Sequence, residues 1–197
     1  KRDKKMDSNK VYDLLISNNI NIDRDIFDYG FLVFKTYIKY LLVVIPLSIF
    51  FNLFFQLICF IIVFIPLRRY IGGYHLDSMK ACFVASVLIT FFIIFFSTRI
   101  EYIPLFIKLI VIFITIFITY HVGAMDHPNK RISIEEKRNY TLKAIKIEFL
   151  YLLLMIFLHL NNIYIFSNIL FLTIIFCVLN ALVTYLIKKS DIMNTET

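Results

Sequence analysis

The sequence predicts an all-α integral membrane protein, with six transmembrane helices and an N-terminal amphipathic cytoplasmic helix, and three observations carry that prediction. The 197 residues are 60% hydrophobic, with 22 Phe and 12 Tyr, and the mean hydropathy of +0.79 lies far above that of a soluble domain. The apolar residues fall in long runs that suit crossings of about 20 residues each. Lys and Arg gather at alternate ends of those runs, the bias that orients a chain in a bilayer. One domain spanning 1–197 is expected, with no length to spare for a soluble one.

Taken in order, residues 1–29 are polar, with apolar positions at Val11, Leu14, Leu15, Ile20, Ile22, Ile26 and Phe27. Ser8 is placed to cap a helix lying on the membrane surface, the alternative being a loosely ordered arm with fortuitous spacing. Residues 31–67 are predominantly apolar, too long for one crossing and right for two. Asn52 is the natural hairpin point, which gives spans at 31–51 and 53–67. Lys35 and Lys39 snorkel toward the inner interface, and Pro46 and Pro66 kink or end their helices. A polar insert, 68–82, precedes a third span at 81–96 and a fourth at 103–122. A hydrophilic basic stretch at 123–146 leads to a fifth span at 147–160, a tight turn at Asn161-Asn162 and a sixth at 163–187. His159 is expected at the interface. Six crossings put the N-terminal arm, Arg68-Arg69, the 123–146 stretch and Lys188-Lys189 on one side, leaving Arg99 and Lys108 opposite. Five or seven would break that agreement with the positive-inside bias.

The net charge of +7 is accounted for by these flanking residues, so no nucleic-acid partner is implied. No phosphate-binding glycine loop or dinucleotide fingerprint is present, so no ATP-driven step is expected within the chain. The N-terminal stretch lacks the apolar core and cleavage site of a secretory signal, so insertion is expected to rely on the first spans. Three Cys make no disulfide framework. Cys59 and Cys177 sit in the middle of apolar runs, where thiols act as small hydrophobes, and only Cys82 has a polar approach.

Chemistry concentrates in the insert, Arg68-Arg69-Tyr70-Ile71-Gly72-Gly73-Tyr74-His75-Leu76-Asp77-Ser78-Met79-Lys80-Ala81-Cys82. An imidazole and a thiol are the minimum for nucleophilic catalysis in which the ring takes the thiol proton. Seven residues apart in one continuous helix, His75 and Cys82 would stand about 10 Å apart along the axis, too far for proton transfer. Gly72-Gly73 argue instead for a non-helical approach, with Asp77 or Ser78 as N-cap of a helix starting near Met79. Cys82 then falls in its first or second turn, near the positive end of the helix dipole, and the glycines let His75 lie back over it. Without catalysis, the same residues would be a buried thiol beside an interfacial imidazole.

Arg68 and Arg69 read either as positive-inside anchors or as forks for substrate carboxylates. Gly72 and Gly73 read as a loop breaker or as room for substrate backbone. Lys130 and Arg131, with Lys137 and Arg138, are a solvated face or a docking site for an acidic peptide. Asp126, Asp77 and Glu148 are each candidate orienters of His75. The spacing of His121, Asp126 and His127 matches no standard metal site.

Arg-Arg, a Gly-containing linker, His, six intervening residues and Cys at the mouth of a membrane helix together resemble the AgrB family of quorum-sensing peptide processors. The stretch Gly123-Ala124-Met125-Asp126-His127-Pro128-Asn129-Lys130-Arg131, with Glu135-Glu136-Lys137-Arg138 after it, is similar to that family's basic cytoplasmic loop. The resemblance implies a cysteine endopeptidase in the cytoplasmic membrane with its site facing the cytoplasm. It implies an AgrD-like pro-peptide as substrate, a thioester at Cys82 with His75 as base, release of an acidic C-terminal tail, and a cyclic thiolactone or lactone product. It also implies a homodimer and no cofactor. Tyr74 and Asp77 beside the pair depart from some members. The rival class is a non-enzymatic polytopic protein, a small transporter or assembly subunit, in which Cys82 is dispensable.

Overall fold

The computed structural model describes residues 3–20, 22–74, 78–125 and 133–195, which are helical apart from short turns. In order the helices are α1 (Asp3–Ser17), α2 (Arg24–Phe50), α3 (Phe54–Ile71), α4 (Met79–Arg99), α5 (Leu105–Val122), α6 (Ile134–Leu160) and α7 (Tyr164–Thr195). α2, α3, α4, α5 and α7 are each long and apolar enough to cross a membrane. The protein is a multi-pass membrane protein of the all-α class.

Three helices end the same way. Asn19, Asn52 and Asn162 have φ of 60°, 57° and 62°, the left-handed conformation that Asn tolerates better than other residues bearing a side chain. The amide of each following residue reaches back over the turn, Ile20 to Leu15 O at 3.0 Å, Leu53 to Ser48 O at 2.7 Å and Ile163 to Leu158 O at 2.9 Å. These bonds satisfy carbonyls that the ended helix leaves open.

Packing divides the chain into two compact units, Lys1–Leu47 and Ser48–Thr197. In the first, Tyr12 and Phe27 rings meet at 5.2 Å, and Arg24 lies over the Tyr12 ring at 4.4 Å while its Nε donates to Asp28. Ser8 does not cap α1. The helix begins at Asp3, and Ser8 is buried inside it with its hydroxyl donating to Asp28 Oδ1 at 2.8 Å. Ile20 and Ile22 belong to the turn, and Ile26 and Phe27 to α2, so the apolar positions of 1–29 do not share one helix.

In the second unit α7 packs against α3, α4, α5 and α6. Its core holds Leu67, Ile112, Ala144, Met155, Ile174 and Cys177, and a second cluster joins Phe60, Ile93, Ile94 and Ile169. Outward-facing Phe55, Phe113, Phe117 and Phe157 are each at least 60% exposed. Bare aromatic side chains of this size suit hydrocarbon, not water.

Several local expectations change. α6 starts at Ile134, within the hydrophilic stretch, because Ser133 and Glu136 form a reciprocal capping box: Ser133 Oγ accepts from Glu136 N at 3.2 Å and Glu136 Oε2 from Ser133 N at 2.9 Å. Neither Pro46 nor Pro66 ends a helix; both lie inside one. Lys108 and His159, the latter expected at the interface, are both buried against neighbouring helices. Lys108 Nζ donates to Ser167 Oγ at 2.8 Å and stands 3.5 Å from His159 Nδ1, whose ring packs between Tyr102 and Tyr164. Polar groups inside a helical bundle pair with one another in this way because hydrocarbon offers them no partner.

Candidate active site

The site is built where α3 ends. Helices stop at glycine because it adopts positive φ without a side-chain penalty, and Gly72 and Gly73 have φ of 78° and 137°. The turn they make is clasped from below by Arg68, one turn earlier on α3. Its Nη1 donates to Gly72 O at 2.8 Å and to Asn180 Oδ1 of α7 at 2.5 Å, and its Nη2 donates to Tyr74 O at 2.6 Å. Asn180 Oδ1 also accepts from Tyr74 N at 2.8 Å. Both backbone polar groups of Tyr74 are therefore tied down, one by each side chain.

The space left by the missing side chains is filled by the chain itself. A Cβ on Gly73 would collide with the Arg68 guanidinium and the Asn180 side chain, and one on Gly72 would lie 2.6 Å from Met125 O. Met125 N in turn donates to Ile71 O at 2.8 Å. The turn after α3 and the segment after α5 are thus stitched together, bringing two separate polar stretches of the sequence to one place. The start of α6 joins them: Thr141 Oγ1 accepts from Ala124 N at 2.9 Å, and the Tyr70 and Tyr140 rings meet at 5.8 Å.

Cys82 enters from α4. Ser78 is the N-cap, its hydroxyl accepting from Ala81 N at 3.5 Å, and Cys82 N makes the first intrahelical bond to Ser78 O at 2.9 Å. The thiol thus stands at the end of the first turn of an apolar helix that packs on α3 and α7, and it is partly exposed. This is the start the Ser78 cap predicts. Cys59 is half-buried and Cys177 buried within the packed core.

The remaining expected site residues divide. Arg68 faces inward and Arg69 outward. Glu148 is fully buried on α6 and accepts from Thr119 Oγ1 of α5 at 2.6 Å, while its Oε2 has no partner among the described residues. His75, Asp77, Asp126, Lys130 and Arg131 lie outside the described residues. Asn180 escaped the sequence reading although it carried a signal, since an amide in the apolar run of a membrane helix generally has a partner.

Comparison with known proteins gives the family of the chain. The family model described as Accessory gene regulator B, AgrB, matches residues 8–192. A protein of Clostridium perfringens (strain SM101 / Type A) named AgrB-like is 28% identical over 148 residues, covering 70% of this chain and 69% of its own. A second, named AgrB-like protein 2, of Clostridium perfringens (strain 13 / Type A), is 29% identical over 148 residues with the same shares. No solved structure matches. The match runs through the Arg68–Cys82 insert, the segment after α5 that docks on it and the helices that hold both, and the chain belongs to the AgrB family of quorum-sensing pro-peptide processors.

Proposed function

We propose that the protein is a cysteine endopeptidase of the cytoplasmic membrane that trims an AgrD-like pro-peptide and passes it on as a ring. The observation that carries this reading is Cys82 at the capped start of a membrane helix, seven residues after the His75 of the family's motif. His75 takes the thiol proton, and Cys82 Sγ attacks the carbonyl carbon that precedes the acidic tail. As the C–N bond breaks, His75 returns the proton to the leaving amine, and the peptide stays on the enzyme as a thioester. A thiol or hydroxyl within the peptide then attacks that thioester. Cys82 leaves and regains a proton, and a thiolactone or lactone is released. Exclusion of water from the thioester favours ring closure over hydrolysis.

The acidic tail is met by Arg69, which is exposed, and by Lys130 and Arg131. Arg68, Gly72 and Gly73 belong to the same site, where they also shape the turn into His75. Asp126, Asp77 and Glu148 stand as candidates to orient the ring. The protein crosses the bilayer six times, with this end of the bundle toward the cytoplasm, and works as a homodimer.

The test is co-expression with a pro-peptide of that kind and mass measurement of the products. Wild type yields a peptide shortened by its C-terminal tail, whereas Cys82→Ala and His75→Ala leave it whole. Trimming by Cys82→Ala at the wild-type rate would overturn the reading.

A further inference from the structure

Resting on that reading, we propose that Asn180 is a positioning residue for the reaction, the acceptor on α7 that fixes the strand of backbone leading into His75. Asn180 is 98 residues from Cys82 in sequence, and nothing about the motif implicates it. Its Oδ1 nevertheless receives two hydrogen bonds, from Arg68 Nη1 at 2.5 Å and from Tyr74 N at 2.8 Å. Arg68 then closes the loop by holding Tyr74 O and Gly72 O. One oxygen therefore joins the guanidinium and the amide that together define where residue 74 lies. His75 is the next residue along.

Three features make this a positioning device and not incidental packing. The acceptor is a single atom serving both donors, so no neighbouring residue of α7 can substitute for it. The Gly73 position admits no side chain over the Arg68–Asn180 pair, so the turn is shaped to sit on it. α7 is also the helix against which α3, α4, α5 and α6 all pack, and α4 carries Cys82. Asn180 thereby references Tyr74, the residue before His75 in sequence, to the same helix that references the nucleophile. A shift of about 1 Å between reacting groups can cost about 10²-fold in rate.

The full-length protein in detergent or nanodiscs, with a synthetic AgrD-like pro-peptide, tests this. Asn180→Ala is expected to lower kcat about 10²-fold while KM stays within about twofold. Alkylation of Cys82 at neutral pH, located by peptide mass, is expected to slow about tenfold. Asn180→Asp keeps an acceptor oxygen at the same reach and is expected to recover activity to within about threefold of wild type. Continued protection of core Cys177 from alkylation reports an intact bundle. Should Asn180→Ala expose Cys177, Asn180→Gln, which keeps the amide but displaces its oxygen, is read in its place with the same expected loss. Wild-type kcat in Ala and Gln variants alike would overturn the inference and leave the peptidase reading standing. A wild-type protein that never trims the peptide would sink both.

Discussion

Arg68 and Arg69 are adjacent, identical in type and opposite in surroundings. Arg68 turns inward to Gly72, Tyr74 and Asn180, and Arg69 turns out to the surface. Sequence alone gave both the same two readings, because the 100° step between neighbours on a helix shows only once the packed face is known. The two are therefore expected to fail differently. Arg69→Gln should raise KM for a pro-peptide with an acidic tail about tenfold with kcat nearly unchanged, since it removes a charge-assisted contact to bound substrate. Arg68→Gln should lower kcat instead, because the turn loses its tie to Tyr74 O. Equal effects of the two on KM, in steady-state assays of trimming, would put Arg68 in direct contact with the tail. Gly73→Ala makes the same point from the backbone side: its Cβ has no room beside Arg68 and Asn180. It is expected to reduce trimming at least as far as Arg68→Gln, with Cys177 still protected from alkylation.

At the scale of elements, the turns were legible where one residue type dictates a backbone state. Asn52 and Asn161-Asn162 interrupt apolar runs, and Asn is the side-chain-bearing residue that most readily takes positive φ, so both turns fall where the sequence puts them. The Ser78 cap and the α4 start were readable for the same reason, a hydroxyl just before an apolar run. The first half of α6, 134–146, was not legible as helix because hydropathy marks only the apolar half, 147–160, that was expected as the fifth span. Ser133-x-x-Glu136 is a start signal, but the turns after it are too charged to register as a span, and so 134–146 passed for loop. Ser8 was misjudged in the converse way, a capping residue type used to reach Asp28 across a turn. The clasp itself was illegible, since no local pattern says that an amide 112 residues away will meet Arg68. The α6 cap is separable from the chemistry. Ser133→Ala is expected to weaken the first turn by about 1 kcal/mol, seen as faster amide hydrogen exchange at Glu136 and Lys137 with unchanged exchange in α7. Unchanged exchange at Glu136 would mean that the box contributes nothing.

On the scale of the whole molecule the open quantity is the number of crossings, and α6 decides it. Its apolar half, 147–160, is short, and at about 1.5 Å per residue it covers only about 21 Å of an apolar layer of about 30 Å. Its neighbour supplies the rest of the argument. α6 lies along α5 from Thr141, beside Ala124, through Glu148, bonded to Thr119, to His159, beside Lys108. The 18 residues from 141 to 159 rise about 27 Å, so α6 traverses whatever thickness α5 does. The charges in its early turns fit that course: Lys143 and Lys146 are on the outside, long enough to reach headgroups, and Glu148 is inside with a hydroxyl partner. Six crossings are therefore expected, with the turns at 51–53 and 161–163 outside and the α6 start inside. Single cysteines at Phe51, Asn161 and Glu135, all exposed positions, placed in a Cys82→Ser background, check this with a membrane-impermeant thiol reagent on intact cells. Phe51→Cys and Asn161→Cys should label at once, and Glu135→Cys only after the membrane is opened. If Asn161→Cys and Glu135→Cys instead label from the same side, α6 does not cross, and the proposed cytoplasmic placement of Cys82 loses the one-sided arrangement of basic residues on which it rests.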